Sequence, residues 1–473
     1  MEKNKYGYLI KNTFLFTISS FCSKLLTFFL VPLYTSVLST SDYGTADLLT
    51  TTAYLLLYIV TVNIADAVLR FVIEKQNYGE EIYGYAIKVI LKGNILYLLL
   101  LIIFAYFNPI HWEYYLYVFL FLNVFLTSFQ NLASNYLRAK DNVRDVAIGG
   151  IVSTAITILC NIVTLVVFKL GLIGYLISLN LGLLVTTVFY LFKCENIYHA
   201  FLNATKNRDI QKSMMRYCIP LILNGIAWWI SASLDKYFVV AMINTSANGI
   251  YSVAQKIPSI LTTFSTIFMQ AWNLSAIKEF DKNDSDGFFT NTYKTVNSAL
   301  VICCSFLILI NIPLAKVLYN KDFFIAWKCS SWLLISVVFS SLSSFEGSVF
   351  SAVKNTRIVS VSTVMSAIIN IVLNFIFIPI WGIQGAAIAT AISFFSVWLI
   401  RYILMKKYIK IRTNNYLCLS TYLLLIVQVL LERIYNHCYI GQCVIFIIII
   451  FLYKKNLKAI IVKIKSTIKN IKR

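Results

Sequence analysis

The sequence predicts an all-α polytopic membrane protein with about 14 transmembrane helices: two parallel six-helix lobes followed by two extra C-terminal helices. Three observations predict it. Of the 473 residues, 59% are hydrophobic and only 13% charged, against roughly 25% charged in a soluble domain. Such a chain cannot cover its surface with polar side chains, so most of that surface must face lipid. The apolar residues also come in continuous runs of about 20, the length a helix needs to cross a bilayer, and not in the alternating segments of barrel strands. In hydrocarbon every backbone polar group must be paired internally, which leaves helices. Finally, the basic residues gather in every second connection, as cytoplasmic loops do. Together these exclude a soluble enzyme, a disordered chain and a disulfide-stapled secreted domain.

The elements follow in order. The first run, 13–32, has no small-residue cleavage site after it and is expected to be a retained anchor. Lys3, Lys5 and Lys11 before it place the N-terminus in the cytoplasm. Runs at 45–65 and 86–107 bracket an inner segment with Arg70, Lys75, Lys88 and Lys92. Runs at 115–136 and 146–168 bracket Arg138, Lys140 and Arg144. The run 170–192 leads into a basic inner loop carrying Lys193, Lys206, Arg208, Lys212 and Arg216. Runs at 217–241 and 250–272 precede Lys278, Lys282 and Lys294, and runs at 295–315 and 329–351 precede Lys354 and Arg357. Runs at 358–379 and 383–400 end at Arg401, Lys406, Lys407, Lys410 and Arg412. The last two runs, 416–431 and 438–453, are short and flanked by charge. The tail after Tyr453 alternates basic and apolar residues, a pattern suited to lying along the inner leaflet. Outer connections hold few basic residues, and both termini are expected in the cytoplasm.

A repeat runs through this order. LSTSDYG (Leu38–Gly44) resembles INTSANG (Ile243–Gly249), RAKDN (Arg138–Asn142) resembles SAVKN (Ser351–Asn355), and GLIG (Gly171–Gly174) resembles GIQG (Gly382–Gly385). Each pair joins equivalent helices at a nearly constant offset. The expected organisation is a lobe at 1–192, a basic cytoplasmic connection at 193–216, a second lobe at 217–405, and an addition at 406–473. Six helices is an even number, so both lobes enter the membrane in one orientation, the arrangement of parallel-repeat transporters that work by alternating access.

Ionisable residues within spans are expensive and mark cavities or partners. Lys24, Lys236 and Lys256 are the candidate substrate-binding residues, because an ammonium suits phosphate oxygens as a point charge. The plain alternative is a salt bridge or a snorkelling side chain. Asp66, Arg70, Asp235 and Glu346 are candidate gate or coupling residues; Asp66 and Arg70, four apart, can pair along one helix face. Pro258 is expected to bend the eighth helix. The net charge of +21 follows from the inner loops and does not require nucleic acid. The cysteines form no C-x-x-C pair, the three histidines make no H-E-x-x-H, and no phosphate-cradling G-x-x-x-x-G-K-[ST] loop is present, so no metal, cofactor or ATP site is expected.

Two stretches, FFLVPLYTSVLSTSDYGTADL (Phe28–Leu48) and SLDKYFVVAMINTSANGIYSVAQKIP (Ser233–Pro258), resemble the bacterial polysaccharide-repeat flippases. These are the O-antigen and capsule transporters of the multidrug/oligosaccharidyl-lipid/polysaccharide exporter superfamily. The resemblance covers essentially the whole chain in helix count, lobe repeat and inner-loop charge. It implies a V-shaped pair of lobes in the bacterial inner membrane that moves an undecaprenyl-pyrophosphate-linked oligosaccharide across without altering it. It also implies that Lys24, Asp66, Arg70, Asp235, Lys236 and Lys256 fall where such proteins place cavity charges. The expected partners are the lipid-linked oligosaccharide and membrane lipids. H+ or Na+ are candidate coupling ions, and a polysaccharide polymerase and a chain-length regulator are candidate protein partners. A multidrug exporter of the same superfamily shares the architecture. A membrane polysaccharide polymerase fits less well, since such enzymes usually carry a long outer loop, and the one here, around 315–328, holds a single acid, Asp322.

Overall fold

The computed structural model describes residues 28–456 apart from 195–196, 203, 205–206, 354 and 435–438. Lys24, most of the first expected span, and the tail after residue 456 lie outside the described residues. The described elements are all helical, and the chain divides into two compact units, Met1–Leu234 and Asp235–Arg473.

The first unit holds α1 (Val31–Val37), α2 (Thr40–Val60), α3 (Ile64–Glu74), α4 (Gly79–Phe107), α5 (Tyr114–Ala139) and α6 (Val143–Asn161). A π-helical turn, Ile162–Val167, continues α6. Then come α7 (Gly171–Lys193), α8 (Ile197–Leu202) and α9 (Arg208–Met242), whose last residues belong to the second unit. Two apolar clusters form its interior. One joins α3, α4 and α5 through Ile64, Phe71, Tyr83, Ile87 and Leu132. The other joins α2, α4 and α5 through Leu49, Ala53, Leu57, Tyr97 and Val124. The outer face of α4 exposes Ile95, Leu96, Leu99, Leu100 and Ile103, which would be an aggregation surface in water and is a lipid face in a bilayer. Its inner face buries Asn94, whose amide donates to the Ile90 carbonyl at 2.9 Å and Ser128 Oγ at 3.2 Å, the kind of interhelical bond that holds helices together in lipid.

The second unit continues with α10 (Thr245–Ala254), α11 (Lys256–Lys278), α12 (Phe288–Leu309), α13 (Asn311–Leu318), α14 (Trp327–Ala352), α15 (Thr356–Trp381), α16 (Ile383–Met405), α17 (Asn415–Ile434) and α18 (Tyr439–Leu452). The serine-rich α14 is mostly buried at its centre, packed by α11, α12, α15 and α16. Small hydroxyl side chains let neighbouring backbones approach while bonding back to their own helix. Three polar rungs fasten α17 and α18 to the unit. Asn297 bonds Tyr422 at 2.6 Å and Tyr453 at 2.9 Å; Ser305 bonds Gln428 at 2.7 Å; Asn311 bonds Glu432 at 2.8 Å.

The three sequence repeats are three repeated turns. Ser39 and Asn244, at aligned positions, both cap a helix: Ser39 Oγ accepts from Asp42 N in a capping box, and Asn244 Oδ1 accepts from Ala247 N at 2.8 Å. Asn142 N and Asn355 N donate to carbonyls five residues back, Leu137 at 2.8 Å and Phe350 at 2.9 Å, closing the same turn. Gly171 and Gly382 both have positive φ, 55° and 59°, which favours glycine.

Among the described residues, nine helices are long and apolar enough to cross a membrane, and two bent helix pairs bring the number to eleven. The sequence expectation was about 14. Of the remainder, 13–32 is mostly undescribed, and α18 is short at 14 residues. The expected span 250–272 is broken at Gln255 into α10 and α11. Pro258 therefore does not bend the inside of a helix. It occupies the first turn of α11, where its missing N–H has no intrahelical partner to lose.

Candidate functional site: a polar cavity at the break of the second span

The sequence expectation ended the second span at residue 65. Instead α2 stops at Val60 and α3 sets off at Ile64, bent by 52°. Thr61 takes the last turn out of register, its hydroxyl donating to the Leu57 carbonyl at 2.7 Å and accepting from Asn63 N at 3.2 Å. Val62 and Asn63 then adopt left-handed φ of 52° and 53°. Asparagine tolerates this; a β-branched valine does not, and such outliers concentrate at functional sites.

The break opens a cavity of about 370 Å³ within the first unit. From α2 and the break it takes Tyr54, Leu57, Tyr58, Thr61 and Asn63, and from α3, Ala65 and Asp66. Across from these, α5 contributes Ser128, Asn131, Asn135 and Arg138. Their spacing of three, four and three puts all four on one face of a helix. Asp66 accepts from Asn63 Nδ2 at 2.8 Å and from Asn135 Nδ2 at 3.3 Å, and Arg138 lies within electrostatic range of it. The result is one acid, one guanidinium, three amides, two hydroxyls and two tyrosine rings. A guanidinium fork matches phosphate oxygens; amides and tyrosines, with an apolar face and a polar tip, match the alternating faces of a sugar.

The structure distributes the sequence candidates unevenly. Asp66 lies in the cavity. Arg70 does not: its Nε pairs with Glu74 Oε1 at 2.9 Å and its guanidinium sits 4.8 Å from the Tyr217 ring centroid. The expected Asp66–Arg70 pair is thus replaced by Arg70–Glu74 one turn on, while Asn63 and Asn135 bond Asp66. Asp235 and Lys236 are both buried in the second unit. Asp235 accepts from Tyr251 OH, from Lys236 N at 3.0 Å and from Thr390 Oγ1 at 3.3 Å. Behind Thr390 the chain continues through Asn370 to Asn374, 2.9 Å apart. Lys256 starts α11, half-buried. Glu346 is buried on α14 near Arg401 of α16. Among the described residues no group of three or more His, Cys, Asp or Glu side chains is placed to hold a metal ion.

Sequence reasoning missed Ser128, Asn131, Asn135 and Arg138. The available signal was the run of polar residues at helical spacing within an apolar span. Arg138 and Arg401 were counted as loop charges, although both lie on helices.

Comparison with known proteins adds relatives. Residues 9–273, more than half of the chain, match the model of a family described as polysaccharide biosynthesis protein. The chain is 26% identical over 266 residues to an uncharacterized membrane protein of Methanocaldococcus jannaschii, covering 52% of this chain and 60% of that one. It is 28% identical over 229 residues to the probable low-salt glycan biosynthesis flippase Agl15 of Haloferax volcanii, covering 46% of each. The chain spans about half the length of the curated relatives it matches. Among solved structures it is similar to the lipid II flippase MurJ in an inward closed conformation, with a TM-score of 0.69 at 16% identity over 95% of this chain and 100% of that one. It is also similar to an inward-facing multidrug resistance MATE family transporter, with a TM-score of 0.63 at 12% identity over 81% and 94%. At these identities the likeness shows the fold.

Proposed function

We propose that this chain, which belongs to the polysaccharide biosynthesis protein family, is a flippase that moves a lipid-linked oligosaccharide across the membrane it spans. The cavity at the break of the second span carries the reading. It sets Arg138 beside a wall of amides, hydroxyls and tyrosine rings, the chemistry needed to hold a phosphate-linked sugar without reacting with it. These are groups that hold and orient a polar cargo, which supports a transport reading.

In its finer form the cargo is an undecaprenyl-pyrophosphate-linked repeat unit for O-antigen, capsule or a related surface polysaccharide. The location is then the bacterial inner membrane, with both termini cytoplasmic. Transport proceeds by alternating access, a reading supported by the three repeated turns. H+ or Na+ drives it, and a polymerase and chain-length regulator receive the product. Lys24, Lys236 and Lys256 remain candidates for holding the anionic head group, and Asp66, Arg70, Asp235 and Glu346 for gating or coupling.

The test is surface polysaccharide in cells that depend on the variant protein. A lost hydrogen bond to a charged group costs about 1.5–3 kcal/mol, so Arg138→Ala should weaken cargo binding about ten- to a hundredfold. Export should collapse, with partial recovery in Arg138→Lys, which keeps the charge but not the fork. Arg144→Ala, an exposed base one helix on, serves as the control. Normal export from Arg138→Ala would sink the reading. A multidrug exporter is the second reading, favoured by Asp66 in the same cavity, because cationic drugs call for an acid. It predicts that Asp66→Asn, and not Arg138→Ala, abolishes transport and sensitises the cell to cationic drugs.

A further inference from the structure

In the second unit an acid and a base lie side by side without bonding. Glu346 on α14 is fully buried, and neither carboxyl oxygen has a hydrogen-bond partner among the described residues. Arg401 on α16 commits its guanidinium to neutral oxygens instead. Nε donates to Ser362 Oγ at 2.8 Å, Nη1 to the Ser343 carbonyl at 2.9 Å, and Nη2 to the Val359 carbonyl at 3.0 Å and Thr363 Oγ1 at 2.9 Å. The guanidinium is nonetheless close: a Cβ on Gly347, the residue after the acid, would stand 3.4 Å from Nη1. The ion pairs among the described residues are elsewhere, Arg70–Glu74 and Lys193–Asp145.

A buried acid kept for structure alone looks different. Glu432 on α17 accepts from the Ser331 hydroxyl and from Asn311 Nδ2. Glu346 has no such donors. An ionised carboxylate out of water and without a donor costs several kcal/mol, a neutral one far less. The charged or titratable groups that act on this carboxyl are Arg401 of α16, Tyr293 of α12 and Tyr422 of α17. Against this part of α14, α11 sets the neutral Trp272, stacked on Phe345, and Asn273, bonded to Ser348. From α15 come the neutral Ser362 and Thr363. Meanwhile α10 and α13 meet α14 at its other end, around Ser330 and Ser331.

We propose that Glu346 is a proton-binding site and that Arg401 is the arm it operates. In the conformation described, the carboxyl holds its proton and leaves Arg401 on α15. When the O–H bond breaks and the proton passes to water, the carboxylate that remains pairs with Arg401. That draws the guanidinium off Val359, Ser362 and Thr363, releasing this end of α15 from α16. No electron changes hands. The proton site stands on the geometry of the second unit; its use in driving cargo rests on the transport reading above.

Infrared difference spectroscopy of the full chain in liposomes, stepped from acidic to alkaline buffer, reads the proton directly as the C=O stretch of a neutral carboxylic acid that shifts in D2O. The expected result is a band lost on the alkaline step, missing from Glu346→Gln and present again in Glu346→Asp. A wild-type spectrum from which Glu346→Gln removes nothing overturns the site. Arg401→Gln, lacking the pairing partner, should hold the band to a pH about one unit higher, one unit being about 1.4 kcal/mol. A band that does not move overturns the arm, with Arg401→Met, which also removes the charge, read in the same way where the first variant does not fold. In cells, Glu346→Gln should lower export at least about tenfold. Normal export with the band abolished overturns the coupling role, and Arg138→Ala decides the transport reading separately.

Discussion

Asp284 shows how much one side chain can fix in this protein. It lies in the loop before α12, nearly buried, and its two carboxyl oxygens accept from Phe289 N and Thr290 N, each at 2.9 Å. Those N–H groups open α12 and have no partner within the helix. Gly287, at φ 71°, turns the chain so that the carboxylate reaches over them. Asp284→Ala leaves both donors unmet and should cost about 1–3 kcal/mol. Asp284→Asn keeps one good acceptor and should cost roughly half as much. Thermal unfolding of the solubilised protein checks both, and equal midpoints for wild type and Asp284→Ala would refute the capping account. The cavity residues were legible only in part at this scale. Asp66 stands out as a charge at the end of an apolar run. Ser128, Asn131 and Asn135 do not, because neutral amides barely interrupt a hydrophobic stretch and declare themselves only when read at helical spacing. Arg138 and Arg401 lie within one turn of a run's end, where a side chain on a helix and one in a loop have the same sequence appearance.

For whole elements, the turns carried more information than the spans. Ser39 and Asn244, Asn142 and Asn355, and Gly171 and Gly382 each recur because a cap, a helix-end turn or a left-handed backbone admits few residue types. Lipid-facing positions accept any large apolar side chain and so lose the repeat. The break between α2 and α3, by contrast, could not be read from composition, since Val62 is a poor choice for a left-handed position. The glycines of the third turn give a graded test. A Cβ on Gly385 would stand 2.1 Å from the Phe377 carbonyl oxygen, whereas one on Gly171 meets nothing within 4 Å. Gly171→Ala should therefore cost only the left-handed penalty of about 1–2 kcal/mol. Gly385→Ala must push α15 and α16 apart and should lower the melting temperature further; the reverse order would show that their packing is looser than described.

Across the whole molecule, the composition settled the solvent: a chain with this share of apolar residues is a multi-pass membrane protein, and the exposed face of α4 is its lipid surface. The orientation in the membrane rests on the charge bias of the connections. A reporter inserted between residues 203 and 207 should be active only on the cytoplasmic side. Activity on the opposite side alone would invert the topology and, on the transport reading, the side from which cargo is loaded. Within the first unit the break of the second span carries strain of its own. Val62 holds a left-handed φ that costs an L-residue about 1–2 kcal/mol, so its neighbours must hold the bend in place. The bonds from Asn63 and Asn135 to Asp66 tie the break to α5. Losing those bonds would favour a straighter second span by an amount of that order, and a full cycle would still draw on an outside source of work.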